Sequence, residues 1–177
     1  MTIISIVLII TNDQKPFFYQ QRPGKDGKNF TFIKFRTMNN QKDNFGNLLP
    51  DIERLTGIGR FLRSTSLDEL PQLINILKND MSIVGPRPLL PEYLLLYNKQ
   101  QARRHEVKPG ITGLAQISGR NSLSWEEKFK LDVYYIDHVS FSLDMKIIIL
   151  TIFKVFKREG INSNNFETMK MFTGLND

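Results

Sequence analysis

The sequence predicts a single domain in which short helices surround a small antiparallel β-hairpin. The chain of 177 residues is long enough for one domain with its own core. Residues 16–22 and 29–38 are rich in aromatic side chains and flank a Pro-Gly turn, which is the pattern of a hairpin. Two Ser-x-x-Glu pairs, beginning at Ser66 and Ser124, mark the starts of helices.

Composition limits the classes of chemistry and of partner. The chain has no cysteine, which excludes disulfides and thiolate chemistry, and its two histidines cannot build the usual four-ligand zinc site. His105 follows two arginines, Arg103 and Arg104, and we expect all three side chains at the surface. The formal charge of +6 suits a partner with phosphates, which could be a nucleotide, an anionic lipid or a nucleic acid.

The densest chemistry lies in residues 63–90. Ser66 and Glu69 have the spacing of a capping box. Because Pro71 would cost a backbone hydrogen bond beyond the first turn, we expect the helix to start at or just after Asp68. This helix would bury one apolar face, which consists of Leu67, Leu70, Ile74 and Leu77.

Asp68 and Glu69 would then lie in the first turn, where the helix dipole favours ionised carboxylates and bound anions. An ionised aspartate there can attack phosphorus or hold a divalent metal, although acidic residues in a first turn are also common as simple caps. Arg63 lies just before the cap, and Arg87 lies in a Gly-Pro-Arg-Pro turn that fixes the backbone. Since arginine suits bidentate phosphate contact, the stretch predicts phosphate chemistry with a metal.

Other segments could add cations to this site. A short helix, suggested by Ile58, Phe61 and Leu62, would deliver Arg63 to the site. On the second strand Lys34 and Arg36 point to one side, where they could meet a phosphate or form a solvated face. The turn-rich segment 107–121 has the composition of a functional loop, and Arg120 is its strong phosphate ligand.

Three further helices are expected, over 91–106, from Ser124 to about 137, and over 143–158. The second would bury a stripe made of Trp125, Phe129, Val133 and Ile136. The last helix carries its cations within about 120° on a mostly apolar surface, so it either lies in a membrane interface or packs on the core. Those cations are Lys146, Lys154, Lys157 and Arg158.

Several motifs together resemble one family. In addition to residues 63–90, the blocks are Gln21-Arg22-Pro23-Gly24, Lys34-Phe35-Arg36-Thr37-Met38, Lys108-Pro109-Gly110-Ile111-Thr112-Gly113, Gly119-Arg120-Asn121 and Leu131-Asp132-Val133-Tyr134-Tyr135. In this order they resemble bacterial polyprenyl-phosphate sugar-1-phosphate transferases, the small monotopic phosphoglycosyl transferases. The resemblance covers nearly the whole chain.

The resemblance implies an α/β-associated fold seated at the cytoplasmic face of the bacterial inner membrane, either monotopic or peripheral. It implies an Mg²⁺-dependent enzyme that moves a sugar-1-phosphate from a UDP-sugar to polyprenyl (undecaprenyl) phosphate, releases UMP and starts the assembly of a surface glycan. Asp68 would be the nucleophile that forms a phosphosugar–enzyme intermediate, and Glu69 would assist as metal ligand or base. Lys34, Arg63, Arg87 and Arg120 would bind phosphates. The central and C-terminal blocks suggest an N-acetylated amino sugar, such as diacetylbacillosamine.

The resemblance also divides the chain. Residues 1–13 would be the remnant of an N-terminal membrane-associated helix, 14–160 the catalytic domain and 161–177 a tail. The apolar start is shorter than the roughly 20 residues that span a bilayer, and by pattern alone it is a buried helix or strand. A truncated homologue that serves as an assembly module is the alternative function. A nucleic-acid binder is disfavoured, because the sequence lacks a zinc finger, a basic zipper and an aromatic RNA-binding signature.

Overall fold

A hairpin forms the first sheet of the computed structural model, which describes residues 1–11, 15–119, 122–157 and 171–174. Strand β1 (Phe17–Pro23) pairs antiparallel with β2 (Asn29–Phe35), with Tyr19 opposite Ile33. The connection is a 3₁₀ turn at Lys25–Gly27. The predicted hairpin is confirmed, and β2 ends three residues earlier than expected.

A second sheet, which the sequence analysis did not predict, joins two short strands in parallel. They are β3 (Ser82–Val84) and β4 (Gly110–Thr112). Strands of three residues are too short to show an alternating pattern. With the helices below, the described chain is a mixed fold of short helices and two small sheets.

The described helices surround these sheets. In chain order they are α1 (Thr2–Thr11), α2 (Asp51–Arg54), α3 (Gly57–Ser64), α4 (Gln72–Leu77), α5 (Lys99–Ala102), α6 (Leu114–Ser118), α7 (Trp125–Asp137) and α8 (Phe141–Lys157). Further 3₁₀ turns lie at Leu67–Glu69, Pro91–Leu95 and Arg103–His105. In the described ranges, none of the helices has both the length and the apolar run needed to cross a bilayer.

One core cluster docks α1 and α3 onto the hairpin. Leu8 of α1 and Phe35 of β2 are completely buried, and Leu62 of α3 lies beside them. Leu67 and Leu70 pack against the same cluster. The apolar start of the chain is therefore a helix that packs on the hairpin.

The prediction that the helix after Asp68 buries Leu77 is wrong. Helix α4 begins only at Gln72, and Leu77 is 87% exposed. The buried Asn75 explains the change, because its side chain accepts a hydrogen bond from Ile33 N at 3.2 Å and donates one to Thr31 O at 2.8 Å. These bonds satisfy the free edge of β2 and turn the polar side of α4 inward.

A second core cluster joins β3 to the C-terminal helices. Val84, Ile117, Tyr135 and Ile147 are its buried members, from β3, α6, α7 and α8. The capping box at the start of α7 is confirmed, since Ser124 Oγ accepts from Glu127 N and the Glu127 side chain accepts from Ser124 N. In the predicted stripe of α7, Phe129 and Val133 are buried.

The predicted helix over 91–106 is wrong. It is divided into the 3₁₀ turn from Pro91, the short α5 and the 3₁₀ turn at Arg103–His105. Asn98 causes the break by forming a capping box of its own, in which its side chain accepts from Gln101 N at 2.9 Å. Two of the expected surface residues are inside: Arg104 is buried, and half-buried His105 has Nδ1 at 3.0 Å from Gly24 O.

Candidate active site

The two predicted catalytic carboxylates lie in a tight turn. Ser66 has φ of 56°, and the chain then makes the 3₁₀ turn Leu67–Glu69 before Pro71. The predicted capping box is wrong, because Ser66 makes no side-chain cap bond and the Glu69 carboxylate is engaged elsewhere. Asp68 is only 7% exposed.

The Glu69 carboxylate pairs with Arg87. Its Nη2 donates to Glu69 Oε1 at 2.6 Å, and its side chain is 47% exposed. The turn that carries Arg87 is anchored to the parallel sheet, since Gly85 N donates to Thr112 O at 2.9 Å and Gly110 N donates to Pro86 O at 3.0 Å. The Glu69 carboxylate is the main cause of the raised pKa of Arg87.

Helix α3 delivers Arg63, as predicted. Thr56 caps the helix by accepting from Gly59 N at 2.9 Å. Gly59 allows α3 to approach the end of the hairpin, because a Cβ there would lie 1.9 Å from Thr37 O. At the last turn, Arg63 Nε donates to Thr37 Oγ1 at 2.9 Å. This bond uses Nε, so the two Nη groups of Arg63 are not committed by it and can serve Asp68 or a ligand.

Lys34 completes the described group. It lies on β2 with its ammonium 5.3 Å from the ring centre of Phe18. Burial first, and then the charge of Arg63, lower the pKa of Lys34, while Asp68 opposes them. Five of the six predicted site residues, from four separate segments, therefore share one electrostatic environment. The sixth, Arg120, lies outside the described residues.

The environment of Asp68 favours the neutral acid more than water does. Burial is the main cause, followed by the neighbouring Glu69, and together they raise the pKa of Asp68 to about 6. Lys34, Arg87 and Arg63 oppose this shift. At neutral pH the carboxylate is still mostly ionised, so it is held as a poorly solvated anion beside cations, which is a suitable state for a nucleophile.

This shift predicts how stability depends on pH. An acid whose pKa rises on folding destabilises the fold as the pH increases from its unfolded value of 3.8 to its folded value of about 6. The difference corresponds to about 3 kcal/mol above pH 6. We therefore expect metal-free Asp68→Asn to be more stable than wild type at pH 7 and equally stable near pH 4. Urea unfolding at both pH values measures this, and a constant difference between the variants would contradict it.

The donor set fits a magnesium ion that shares its ligands with a substrate. In the part of the chain that the structure describes, no three histidine, cysteine or acidic side chains come together as a metal cage. Mg²⁺ usually takes one or two protein carboxylates and completes its shell with phosphate and water. Asp68 and Glu69 supply such a pair, because the bond to Arg87 occupies only one Glu69 oxygen.

Two more cations lie near Arg87, and the sequence analysis did not select them. Burial, with the charge of Arg87 as the second cause, lowers the pKa of Arg22 to about 10 and that of Lys128 to about 8. Arg22 lies in one of the motifs that carry the family resemblance, and this position could have identified it as a candidate site residue. Lys128 gave no signal, since a lysine on an amphipathic helix is usually solvated.

Comparisons with known proteins place the sequence in a family. The sequence profile of the family described as bacterial sugar transferase matches residues 1–158. The chain is 62% identical over 161 residues to a Bacillus subtilis protein called uncharacterized sugar transferase EpsL, covering 91% of this chain and 80% of that relative. It is 46% identical over 167 residues to galactosyl transferase CpsE of Streptococcus agalactiae, covering 85% of this chain and 37% of the relative.

A third relative is named for its lipid substrate. The chain is 39% identical over 169 residues to the undecaprenyl-phosphate galactose phosphotransferase of Salmonella typhimurium, covering 85% of this chain and 36% of the relative. The chain thus spans most of the Bacillus protein and just over a third of the other two. The match over nearly the whole chain shows that it belongs to the bacterial sugar transferase family, the polyprenyl-phosphate sugar-1-phosphate transferases that its motifs resemble.

Proposed function

We propose that the chain is a phosphoglycosyl transferase that moves a sugar-1-phosphate from a UDP-sugar to polyprenyl phosphate and releases UMP. The observation that carries this proposal is the convergence of Asp68 and Glu69 with three cations, Lys34, Arg63 and Arg87. Such a group provides a carboxylate nucleophile together with charges for a diphosphate and an acceptor phosphate. The Salmonella relative and a Klebsiella pneumoniae relative, 41% identical over 170 residues, both have undecaprenyl-phosphate in their names, which supports the lipid acceptor.

The first step is attack on the donor. An oxygen of the Asp68 carboxylate attacks the phosphorus that carries the sugar. The bond between this phosphorus and the bridging oxygen breaks, and UMP leaves with that oxygen. Arg63 and Arg87 stabilise the charge on the equatorial and leaving oxygens through N–H groups that their protein partners do not use.

The second step regenerates the enzyme. An oxygen of polyprenyl phosphate attacks the same phosphorus, the bond to Asp68 breaks, and a polyprenyl diphosphosugar leaves. Lys34 holds the acceptor phosphate near the nucleophile by charge attraction. A magnesium ion held by Asp68 and Glu69 would neutralise charge on the diphosphate. Arg120 is proposed as a further phosphate ligand on the family resemblance alone.

The sugar is best found by experiment. The names of relatives specify galactose or glucose, whereas the motif resemblance predicts an N-acetylated amino sugar. UMP release should therefore be measured with a panel of UDP-sugars, with and without undecaprenyl phosphate, in the presence of Mg²⁺. Acceptor-dependent release with at least one donor supports the proposal. Binding of UDP-sugars without any release would favour an assembly module instead.

The acceptor requires a membrane, and α8 has a suitable surface. Ile147 is completely buried against the core, while the opposite face of α8 exposes a continuous apolar stripe. That stripe consists of Phe141, Met145, Ile149, Ile152, Phe153 and Phe156. Exposed Lys146 and Lys157 lie along one edge of it, as in helices that lie in an anionic interface.

Helix α1 provides a second apolar surface. Ile3, Ile6 and Ile10 are 79%, 53% and 78% exposed, whereas Leu8 is buried in the protein. Because part of α1 packs on the hairpin, fewer of its side chains are available to lipid than its composition suggests. We place the chain peripherally at the cytoplasmic face of the membrane, held by α1 and α8 together.

This placement predicts which substitutions release the chain from lipid. Ile149→Glu with Phe156→Glu should reduce co-sedimentation with anionic liposomes at least about tenfold, since each change puts a charge in the interface. Tyr134→Glu is the matched control. Tyr134 is 52% exposed on a face of α7 that also carries exposed Glu126, Lys130 and Asp137. Binding of wild type should weaken in high salt, and equal binding of both variants would contradict the role of α8.

A further inference from the structure

Arg104 lies at the centre of a buried polar network outside the catalytic group. It is carried by the 3₁₀ turn at Arg103–His105, and its side chain is 3% exposed. Its Nη2 donates to Asp132 Oδ2 of α7 at 2.9 Å and to the main-chain oxygen of Arg87 at 2.7 Å. Its Nη1 donates to Tyr97 Oη at 3.1 Å. The planar fork thus joins three segments of the chain.

The bond to the Arg87 carbonyl holds the peptide that joins Arg87 to Pro88. Pro86 and Pro88 fix their own φ angles, and the two bonds to the parallel sheet involve Gly85 N and Pro86 O. The second of these bonds fixes the peptide that joins Pro86 to Arg87, and neither bond reaches the carbonyl of the next peptide, which joins Arg87 to Pro88. The two peptides that flank Arg87 together determine where its side chain begins, so the bond from Arg104 supplies the second of the two restraints that direct this side chain toward Glu69.

The environment of the fork requires an arginine. The guanidinium carbon lies 5.8 Å from the ring centre of Tyr97 and 5.5 Å from that of Phe129. A guanidinium can lie beside aromatic rings and still direct separate N–H groups to a carboxylate, a hydroxyl and a carbonyl. A lysine keeps the charge, but its single nitrogen cannot reach all three acceptors in one plane.

We propose that Arg104, held by Asp132, is a positioning residue that sets Arg87 for phosphate binding. This inference rests on the proposed function, because it assigns Arg87 to a substrate phosphate. Arg104 itself contacts the peptide of Arg87 and acts through it.

The matched control is the preceding residue. Arg103 is 31% exposed and pairs with Asp137 on the same helix, α7, and with Glu106. Arg104→Lys should lower kcat/KM for the UDP-sugar by about 10²-fold, which is the usual effect of misplacing a binding group by about 1 Å. Arg103→Lys should leave kcat/KM within about threefold of wild type. Equal effects of the two variants would overturn the proposal.

A double-mutant cycle separates positioning from a general structural role. If Arg104 acts through Arg87, then Arg104→Lys should cost less than about threefold when Arg87 is already lysine. A structural role would give the same loss in both backgrounds, and that result would overturn the proposal. Should Arg104→Lys fail to fold, Asp132→Asn takes its place in the cycle, since it keeps the side-chain volume and removes the charge that holds Arg104.

A readout without substrate keeps this inference distinct from the proposed function. Amide hydrogen exchange of the peptide spanning residues 82–90 should be faster in Arg104→Lys than in wild type or Arg103→Lys, while exchange in β1 and β2 stays unchanged. If wild type releases no UMP from any donor, the proposed function fails, and this measurement alone decides whether Arg104 fixes the turn. Unchanged exchange at residues 82–90 would overturn the proposal.

Discussion

Asp68→Asn is expected to lower the rate of UMP release by roughly 10³-fold or more, because the covalent step loses its nucleophile. Affinity for the nucleotide should largely remain, since Arg63 and Arg87 are unchanged. The substitution should not lower the melting temperature at pH 7, because Asp68 is buried as a carboxylate that its surroundings disfavour. A loss of activity together with a gain of stability would be the mark of a functional residue that strains the fold.

The intermediate gives a direct test of the same residue. With a UDP-sugar and no acceptor, the mass of the wild-type protein should increase by one phosphosugar, and added undecaprenyl phosphate should reverse this increase. Asp68→Asn should show no such increase. Asp26→Asn is the control, because Asp26 is exposed in the hairpin turn at φ of 57°, a conformation that asparagine tolerates. Turnover close to that of wild type in Asp68→Asn would contradict covalent catalysis.

The sequence indicated the residues of the candidate site more directly than it indicated the local structure around them. Asp68, Glu69 and Arg87 stand in one stretch of dense chemistry, so their residue types and spacing indicated phosphate chemistry before any fold was known. The hairpin and α7 were also predictable, because a turn sequence and a capping box are local signals. How Arg63 meets Thr37 was not predictable, since it depends on the close approach of Gly59 to the hairpin.

The errors arose where tertiary contacts override a local pattern. Leu77 has the spacing of a buried residue, but Asn75 satisfies the edge of β2 and turns that face of α4 away. Arg104 was expected in solvent, yet Asp132 holds it inside. Asp132 could have indicated a buried cation. It lies beside Phe129 and Val133 on the buried face of α7, and an acid in that position requires a cation as its partner.

Arg87→Lys should lower kcat/KM for the UDP-sugar by about 10²-fold with little change in melting temperature. One N–H of Arg87 is used by Glu69, and the half-exposed guanidinium retains others that can form parallel bonds to a phosphate. Lysine can still pair with Glu69 through its ammonium group. It then has no planar fork for the phosphate, so the loss should appear in catalysis and not in folding.

The control and the contrary results separate three roles of Arg87. Arg103→Lys makes the same change at a partly exposed arginine whose partners lie on α7 and next to its own turn, so its kinetics should match wild type. If Arg87→Lys keeps full activity, Arg87 serves only as a point charge for Glu69. If it loses activity and melting temperature together, Arg87 is structural. If kcat/KM falls while the melting temperature stays constant, phosphate recognition is the role that explains the result. The ion pair with Glu69 would survive the exchange of one cation for another, so it would not account for the fall in kcat/KM.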